Sequence, residues 1–493
     1  MHTTSQSQPQ EPQIFGQPRG LATLFLTEMW ERFSYYGMRS ILILYAVAAV
    51  GAGGFGLDDH VASAIYGLYI AATYVFALLG GWIADRLLGA QRAVLTGGVL
   101  ILIGNALLVL GRMPVFFLGL AVIVLGVGLL KPNISVMVGQ LYPEGGARRD
   151  AGFSIFYVGI SVGALLGSLL VPLCAARFGW RYGFVLPVVG MLFGLTQFLI
   201  TRKWLGRRGR DIPRSAGWRG WAPVAAFALA VVAIAALAFG GRLVIEPVRL
   251  AQGASWLIAL FAVAYFVYLI AFAGLDPAER RRVFAMAALF AAYATFYAGF
   301  EQGGASLNLF AERYTQRHLF GRELPAGVLQ GVTALYTILF APAFAALWLA
   351  LGRRGRDPAP SAKFAAGLAL LAASYLLMYV ASGYVVAGDK VLPTWLLLSY
   401  FLQECGDLCL SPVGLSAMTK LAPPRFAGQV MGLWFLALAL GNNLAGQLSG
   451  EYDARDLHSL PTLFLKIAGY AVVAAAIMLW LTPALRRLMA GVK

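Results

Sequence analysis

Residues 28–36 read EMWERFSYY and lie inside the first long apolar segment of the chain, at residues 20–50. A helix of that length exceeds the ~20 residues needed to cross a bilayer. Ionisable side chains inside such a helix are costly and normally mark a functional site. Spacings of i, i+4, i+7 and i+11 place four side chains on one stripe of the helix: Glu28, Arg32, Tyr35 and Arg39. We expect this stripe to face protein or water; the alternative is an internal ion pair that only joins two helices.

Composition identifies a membrane protein. Hydrophobic residues make up 60% of the 493 and charged residues only 12%, about half of the charged fraction that is typical of soluble domains. The net charge of +16 can indicate nucleic-acid binding, but the basic residues follow the membrane topology, so no nucleic-acid partner is expected. The cysteines all lie in apolar segments and predict no disulfide framework: Cys174, Cys405 and Cys409.

Fourteen apolar segments are long enough to span a bilayer, in groups of six, two and six. The loops on one side, here called the basic side, carry 24 of the 38 Lys and Arg residues, and those on the opposite side carry 11. An excess of basic residues marks the cytoplasmic side. The sequence therefore predicts a multi-pass protein of the cell inner (cytoplasmic) membrane with both termini in the cytoplasm.

Two six-span halves joined by a basic linker are the plan of the major facilitator superfamily, whose substrate site lies near the midplane between the halves. We predict an all-α polytopic membrane protein with this fold, comprising two six-helix bundles and two extra helices between them. The predicted divisions are a disordered cytoplasmic tail at 1–19, the N-terminal bundle at 20–200, the linker with the inserted helices at 201–280, the C-terminal bundle at 281–487 and a cytoplasmic tail at 488–493.

Counting the ~1.5 Å rise per residue of each helix places the buried polar side chains on two levels. The level nearer the basic side holds Glu28, Arg32, Tyr74, Lys131 and Ser161. Arg39 and Glu301, from opposite halves, come out level with one another nearer the opposite side.

Asp407 lies between the two levels. The N-terminal half thus supplies cations and the C-terminal half an anion, so a small zwitterion placed between the halves would satisfy both. Lys131 can alternatively form a structural ion pair, and for Glu404, three residues before Asp407, a structural or water-facing role is favoured.

The energy source is expected to be an ion gradient. No Walker-type phosphate loop occurs, and all four histidines lie in the tail or in outer loops, so buried carboxylates must carry any coupled protons. A membrane enzyme would need a metal or nucleophile cluster, and the spans contain no histidine and no Ser-His-Asp set. We therefore expect neither an enzyme nor a bound cofactor.

The pattern ExxERFxYY of residues 28–36 resembles the signature motif of the proton-coupled oligopeptide transporter family, a branch of the major facilitator superfamily. Further motifs resemble those of the same family over nearly the whole chain. They are GWIADR at 81–86, KPN at 131–133, FYVGISVG at 156–163, FEQGG at 300–304, GDLCLSPVGLS at 406–416 and GLWF, which contains Trp434, at 432–435.

The resemblance implies a symporter that imports di- and tripeptides with protons by alternating access, and a monomer is expected. The residues implied in proton coupling are Glu28, Glu31, Arg32, Glu301 and Arg39, with Arg39 pairing to Glu301 in an outer gate. The residues implied in peptide binding are Arg32, Tyr35, Tyr36, Arg39, Tyr74, Lys131, Ser161, Thr333, Asp407 and Trp434. Of these, Arg32, Lys131, Tyr35 and Tyr74 would hold the peptide carboxylate and Asp407 the ammonium group.

Three positions depart from the family pattern. The family usually has Asn where Ser161 stands, Asn near Thr333, and Glu where Asp407 stands. Each departure shortens or weakens a contact to the peptide, so we expect a roomier pocket and a less selective one. The alternative within the same fold is a transporter of another anion or of an amino-acid conjugate, such as a nitrate-type member. A receptor is the alternative from another class.

Overall fold

The N-terminal half of the chain forms six long helices, as the sequence predicts. The computed structural model describes residues 13–14, 16–143, 146–212, 217–242, 246–319, 321–452 and 456–489. Within these ranges the first six helices are α1 (Arg19–Val47), α2 (Asp59–Ile83), α3 (Ala90–Val109), α4 (Met113–Gln140), α5 (Gly146–Phe178) and α6 (Trp180–Thr201).

The remaining helices complete the predicted pattern of six, two and six. The inserted pair is α7 (Trp221–Phe239) and α8 (Pro247–Ala271). The C-terminal half contains α9 (Pro277–Phe300), α10 (Ser306–Tyr314), α11 (Ala326–Arg353), α12 (Pro360–Val386), α13 (Thr394–Leu421), α14 (Ala427–Ser449) and α15 (Ser459–Leu488). A 3₁₀ turn, Glu301–Gly304, separates α9 from α10, so that these two helices make one membrane span.

Ten helices of the described ranges are long and apolar enough to cross a membrane. Helix α1 is not among them, because Glu28, Glu31 and Arg32 interrupt its apolar length. These three side chains are nevertheless fully buried. The protein interior therefore surrounds the charges that a lipid-facing helix could not carry.

The two halves meet along two helix pairs. Helix α2 of the N-terminal half packs against α14, and α5 packs against α11. The α2–α14 contact is close because glycines face each other, and a Cβ atom built on Gly67 would lie 2.8 Å from the Cα atom of Gly446. Contacts between small residues let helix backbones approach closely within a membrane. These interfaces position the space between the halves.

The inserted helix α8 lies outside the two bundles, against α2 and α14. Its polar attachments are to α14, where Asn443 and Gln447 each donate a hydrogen bond of 2.8 Å to the hydroxyl of Ser255. Its outer surface exposes large apolar side chains such as Trp256 and Leu257. This surface suits contact with lipid.

The chain termini differ in part from the prediction. Residues 13–18 were expected to be disordered, but β1 (Gln13–Ile14) and β2 (Gln17–Pro18) pair as a short antiparallel hairpin, and α1 already begins at Arg19. The first helix of the C-terminal half begins at Pro277, four residues before the predicted boundary at 281. Residues 1–12 and 490–493 of the predicted tails lie outside the described residues. A second hairpin, β3 (His318–Leu319) with β4 (Arg322–Glu323), follows α10.

The packing of α2 on α4 predicts a sharp difference between two adjacent glycines. A Cβ atom on Gly80 would lie 1.9 Å from the carbonyl oxygen of Gly128, whereas one on Gly81 meets no atom within 4 Å. We expect Gly80→Ala to lower the apparent melting temperature in detergent by about 1–3 °C, because overpacking costs about 1–3 kcal/mol and a chain of this length loses about 1 °C per kcal/mol. Gly81→Ala is the matched control and should leave it unchanged or raise it, because alanine favours the helix. Equal melting temperatures for the two variants would contradict this packing.

Candidate functional site

A polar cavity lies between the two halves, walled by α1, α2 and α5 on one side and by α9, α11 and α13 on the other. It contains about 1000 Å³ of empty space, including space that is continuous with solvent. Seven of the side chains that the sequence predicted for the site line it: Tyr36, Arg39, Tyr74, Ser161, Glu301, Thr333 and Asp407.

The ion pair between Arg39 and Glu301 crosses the cavity from one half to the other. Arg39 donates hydrogen bonds to the Glu301 carboxylate and to the Tyr66 hydroxyl. Its guanidinium group also lies over the rings of Tyr36 and Tyr66, 5.7 and 5.6 Å from their centroids. Arg39 is thus held by α2 and by the 3₁₀ turn after α9. The two residues that the rise per residue places on one level do meet.

A second set of contacts joins the halves at the opposite side. Arg313 of α10 donates two hydrogen bonds, of 2.6 and 2.7 Å, to the Asp59 carboxylate at the start of α2. Asn308 of α10 donates to the carbonyl oxygen of Ser40 at 3.1 Å, and the hydroxyls of Ser63 and Ser449 lie 3.0 Å apart. These contacts were not predicted, because partners separated by hundreds of residues leave no local signal. These contacts hold the two halves together on the side opposite the basic loops, farther from the basic side than the Arg39–Glu301 pair.

The charged motif of α1 forms a buried triad next to the cavity. Arg32 Nε lies 3.1 Å from Glu28 Oε1 and also donates to the Glu31 carboxylate. Three polar atoms of this triad have no partner among the described residues: Glu28 Oε2, Glu31 Oε1 and Arg32 Nη2. The Arg32 guanidinium group also lies 5.1 Å from the centroid of the Tyr35 ring. With both glutamates ionised, the triad carries one net negative charge, and it becomes neutral when one of its carboxylates binds a proton.

The opposite wall of the cavity carries acids. Asp407 of α13 accepts hydrogen bonds from the hydroxyls of Tyr297, at 3.1 Å, and Ser411. One turn before it, Glu404 also lines the cavity and accepts a hydrogen bond from Thr337 of α11. The predicted face shared by these two acids is formed.

Four residues predicted to bind peptide do not line the cavity. Arg32 is held in its triad, and Lys131 lies behind Tyr74, with its ammonium group 4.4 Å from the centroid of that ring. Tyr35 is buried against Tyr69, while the next residue, Tyr36, takes its place in the wall. Trp434 is only 2% exposed and stacks on Tyr293, with centroids 3.8 Å apart.

Several lining residues were not predicted. They are aromatic or amide side chains that flank the predicted ones along the same helices: Tyr157, Tyr297, Gln330, Tyr400 and Gln403. The helical spacing could have indicated Gln403 and Tyr400, which precede Asp407 on α13 by about one and two turns, respectively. Tyr157 belongs to the segment FYVGISVG and is half exposed to the cavity.

Comparison with known proteins gives a consistent result. A family model described as "POT family" matches residues 91–459. The peptide transporter YePEPT of Yersinia enterocolitica is 42% identical over 99% of this chain and 98% of its own length. A di-/tripeptide transporter of Lactococcus lactis subsp. cremoris is 36% identical over 98% of this chain and 99% of its own length.

Solved structures agree with these relatives. A crystal structure of peptide transporter POT with sulfate superposes with a TM-score of 0.91 at 41% identity, covering 98% of each chain. A mutant of peptide transporter POT in complex with alafosfalin superposes with a TM-score of 0.91 at 42% identity, again over 98% of each chain. The predicted fold is confirmed by these superpositions.

If the contact between Asp59 and Arg313 holds the two halves together, its loss should increase the distance between them on this side. In a background without the three native cysteines, spin labels at Arg112→Cys and Lys390→Cys would report the distance between the halves on this side. We expect Asp59→Asn to shift the distance distribution toward longer values, because it removes a bidentate, charge-assisted contact.

The matched control for this measurement is Glu451→Gln. Glu451 pairs with Lys466 in an exposed contact within the C-terminal half, so the distribution should stay unchanged. Identical distributions for Asp59→Asn and the parent protein would show that this contact does not hold the halves together.

Proposed function

Because this chain belongs to the POT family, we propose that it is a proton-coupled symporter that imports di- and tripeptides by alternating access. The names of its relatives, a peptide transporter and a di-/tripeptide transporter, support the substrate class. The observation that carries the proposal is the charge asymmetry of the cavity, where Asp407 lines one wall and Tyr74, with the Lys131 ammonium group 4.4 Å from its ring centroid, lines the other. A zwitterionic peptide is complementary to these two walls.

The peptide carboxylate is held by Lys131 together with Tyr74, and the peptide ammonium group by Asp407. Lys131 has no ion-pair partner among the described residues, so a carboxylate would satisfy it. Tyr36, Ser161 and Thr333 contribute hydroxyl groups to the same cavity. Arg32 binds the substrate only after Glu28 or Glu31 releases its guanidinium group. Tyr35 and Trp434 pack behind the side chains that line the cavity.

Proton coupling uses the two acidic sites that hold arginines. Protonation of Glu301 removes the charge that binds Arg39, and a buried ion pair that loses one charge is strongly destabilised. The contact that closes the halves then weakens, and the cavity can open to the opposite side. Protonation of Glu28 or Glu31 similarly releases Arg32, whose Nη2 atom already lacks a partner. No bound cofactor is required by this scheme.

The orientation in the membrane follows from the basic residues. The basic side faces the cytoplasm, so both termini are cytoplasmic and the protein lies in the cell inner membrane. The contacts between Asp59 and Arg313 and between Arg39 and Glu301 then close the external side, which leaves the cytoplasmic side for substrate exchange. We propose that the functional unit is a monomer with the bundles at 20–200 and 281–487. A nitrate-type carrier is disfavoured because Glu404 and Asp407 place two acids in the cavity wall.

Glu301→Gln tests the assignment of the proton site. We expect the variant to lose accumulation of a labelled dipeptide against its gradient, because glutamine cannot titrate, while exchange of labelled for unlabelled peptide in liposomes stays detectable. Glu312→Gln is the matched control, since Glu312 lies half exposed on α10 and pairs with Arg317. Proton-driven accumulation at the wild-type rate in Glu301→Gln would rule out this role, and absence of dipeptide exchange in the wild-type protein would refute peptide transport.

Lys131→Ala tests the carboxylate site. The variant should raise the KM for dipeptides at least about tenfold, because a buried carboxylate that loses its partner costs about 3 kcal/mol or more. It should also lose discrimination between Ala-Ala and Ala-Ala amide, which lacks the carboxylate. Lys466→Ala removes an exposed lysine of the C-terminal half and serves as control. If Lys131→Ala still rejects the amide as strongly as the wild type does, another group binds the carboxylate.

A further inference from the structure

The proposed roles of Asp407 and Glu301 leave one acid of the cavity without a function. Glu404 precedes Asp407 by three residues on α13, so their Cβ atoms lie about 5–6 Å apart on one face of the helix. Glu404 is only 4% exposed. Its carboxylate accepts a hydrogen bond of 2.5 Å from Thr337 of α11. This hydrogen bond occupies one oxygen and leaves the negative charge uncompensated.

No cation of the described residues neutralises this wall. The ion pairs of the described residues include neither Glu404 nor Asp407. The nearby arginines are already engaged, Arg39 by Glu301 and Arg32 by its two glutamates. A zwitterionic peptide brings one ammonium group, which can neutralise one of the two carboxylates. The second carboxylate then remains unpaired in a buried site, which is costly.

A buried hydroxyl without a partner lines the same cavity and belongs to a residue one helical turn before Glu404. Tyr400 precedes Glu404 by one turn of α13, lines the same cavity and is 1% exposed. Its hydroxyl group has no hydrogen-bond partner among the described residues. Buried polar groups are normally satisfied, and a phenolic oxygen can accept a hydrogen bond from a cation. The hydroxyl therefore points to a ligand group at this position.

We propose that Glu404 determines specificity by selecting peptides whose first residue carries a cationic side chain, lysine or arginine. This inference rests on the proposed peptide transport. Asp407 binds the peptide ammonium group, and Glu404 with the Tyr400 hydroxyl binds the side-chain cation. Both cationic groups of such a residue branch from the same Cα atom, which matches the short separation of two carboxylates on one helix face. The side chain of the second residue leaves the peptide farther from this wall.

Competition against labelled Ala-Ala in proteoliposomes tests the inference. The competitors are Lys-Ala, norleucyl-alanine, which has a side chain of similar length without the charge, and Ala-Lys, which carries the charge on the second residue. We expect the wild-type protein to prefer Lys-Ala over norleucyl-alanine by at least about tenfold, which corresponds to about 1.4 kcal/mol. Glu404→Gln should bring this ratio close to one, with a smaller change in the ratio of Ala-Lys to norleucyl-alanine.

Thr337→Val is the matched control, since it removes the hydrogen bond to Glu404 and keeps the carboxylate; the preference for Lys-Ala should persist. An unchanged ratio in Glu404→Gln overturns the inference. Loss of proton-driven accumulation with an unchanged ratio also overturns it and assigns Glu404 to proton transfer. These results leave peptide transport standing, whereas a wild-type protein that carries no dipeptide refutes the proposed function and this inference with it.

Discussion

The ion pair between Arg39 and Glu301 is the contact on which the arrangement of the two halves depends. It lies within the membrane-spanning region, where an unpaired charge is expensive, and it joins α1 to the turn between α9 and α10. Tyr36 and Tyr66 pack their rings around the guanidinium group, so the arginine is held on several sides. Any opening of the cavity past this level must first neutralise or replace one partner.

The two halves solve the problem of buried charge differently. In the N-terminal half, Arg32 pairs with two glutamates inside α1, so that its guanidinium group offsets one of their two negative charges. In the C-terminal half, Glu404 and Asp407 are held by hydroxyl groups and not by cations among the described residues. The resulting field across the cavity makes the C-terminal wall the more negative one, because its two carboxylates have no cationic partner among the described residues. Such a field orients a zwitterion in one direction and leaves its side chains to the remaining polar groups.

Small residues lie where the helices of the two halves pack closely. Close backbone contacts occur where small residues of two helices face each other, as between Gly67 of α2 and Gly446 of α14. The inserted helix α8 is attached to α14 by Asn443 and Gln447 and also lies against α2. Among the described residues, the hydrogen bonds of α8 to other helices are therefore made to the C-terminal half.

The sequence by itself determined the all-α membrane fold and the division into six, two and six spans. It also determined that Arg39 and Glu301 lie at the same depth in the membrane. These properties follow from hydropathy and from the rise per residue, which are local properties of each helix. Only the tertiary structure decided that Tyr36 and not Tyr35 lines the cavity, that Trp434 stacks behind the wall, and that Asp59 meets Arg313. The rotation of a helix about its axis is set by packing against neighbours that are distant in sequence. A stripe of polar residues predicts which side of the helix faces the protein interior. It does not distinguish Tyr35 from Tyr36, whose directions differ by about 100° around the helix axis.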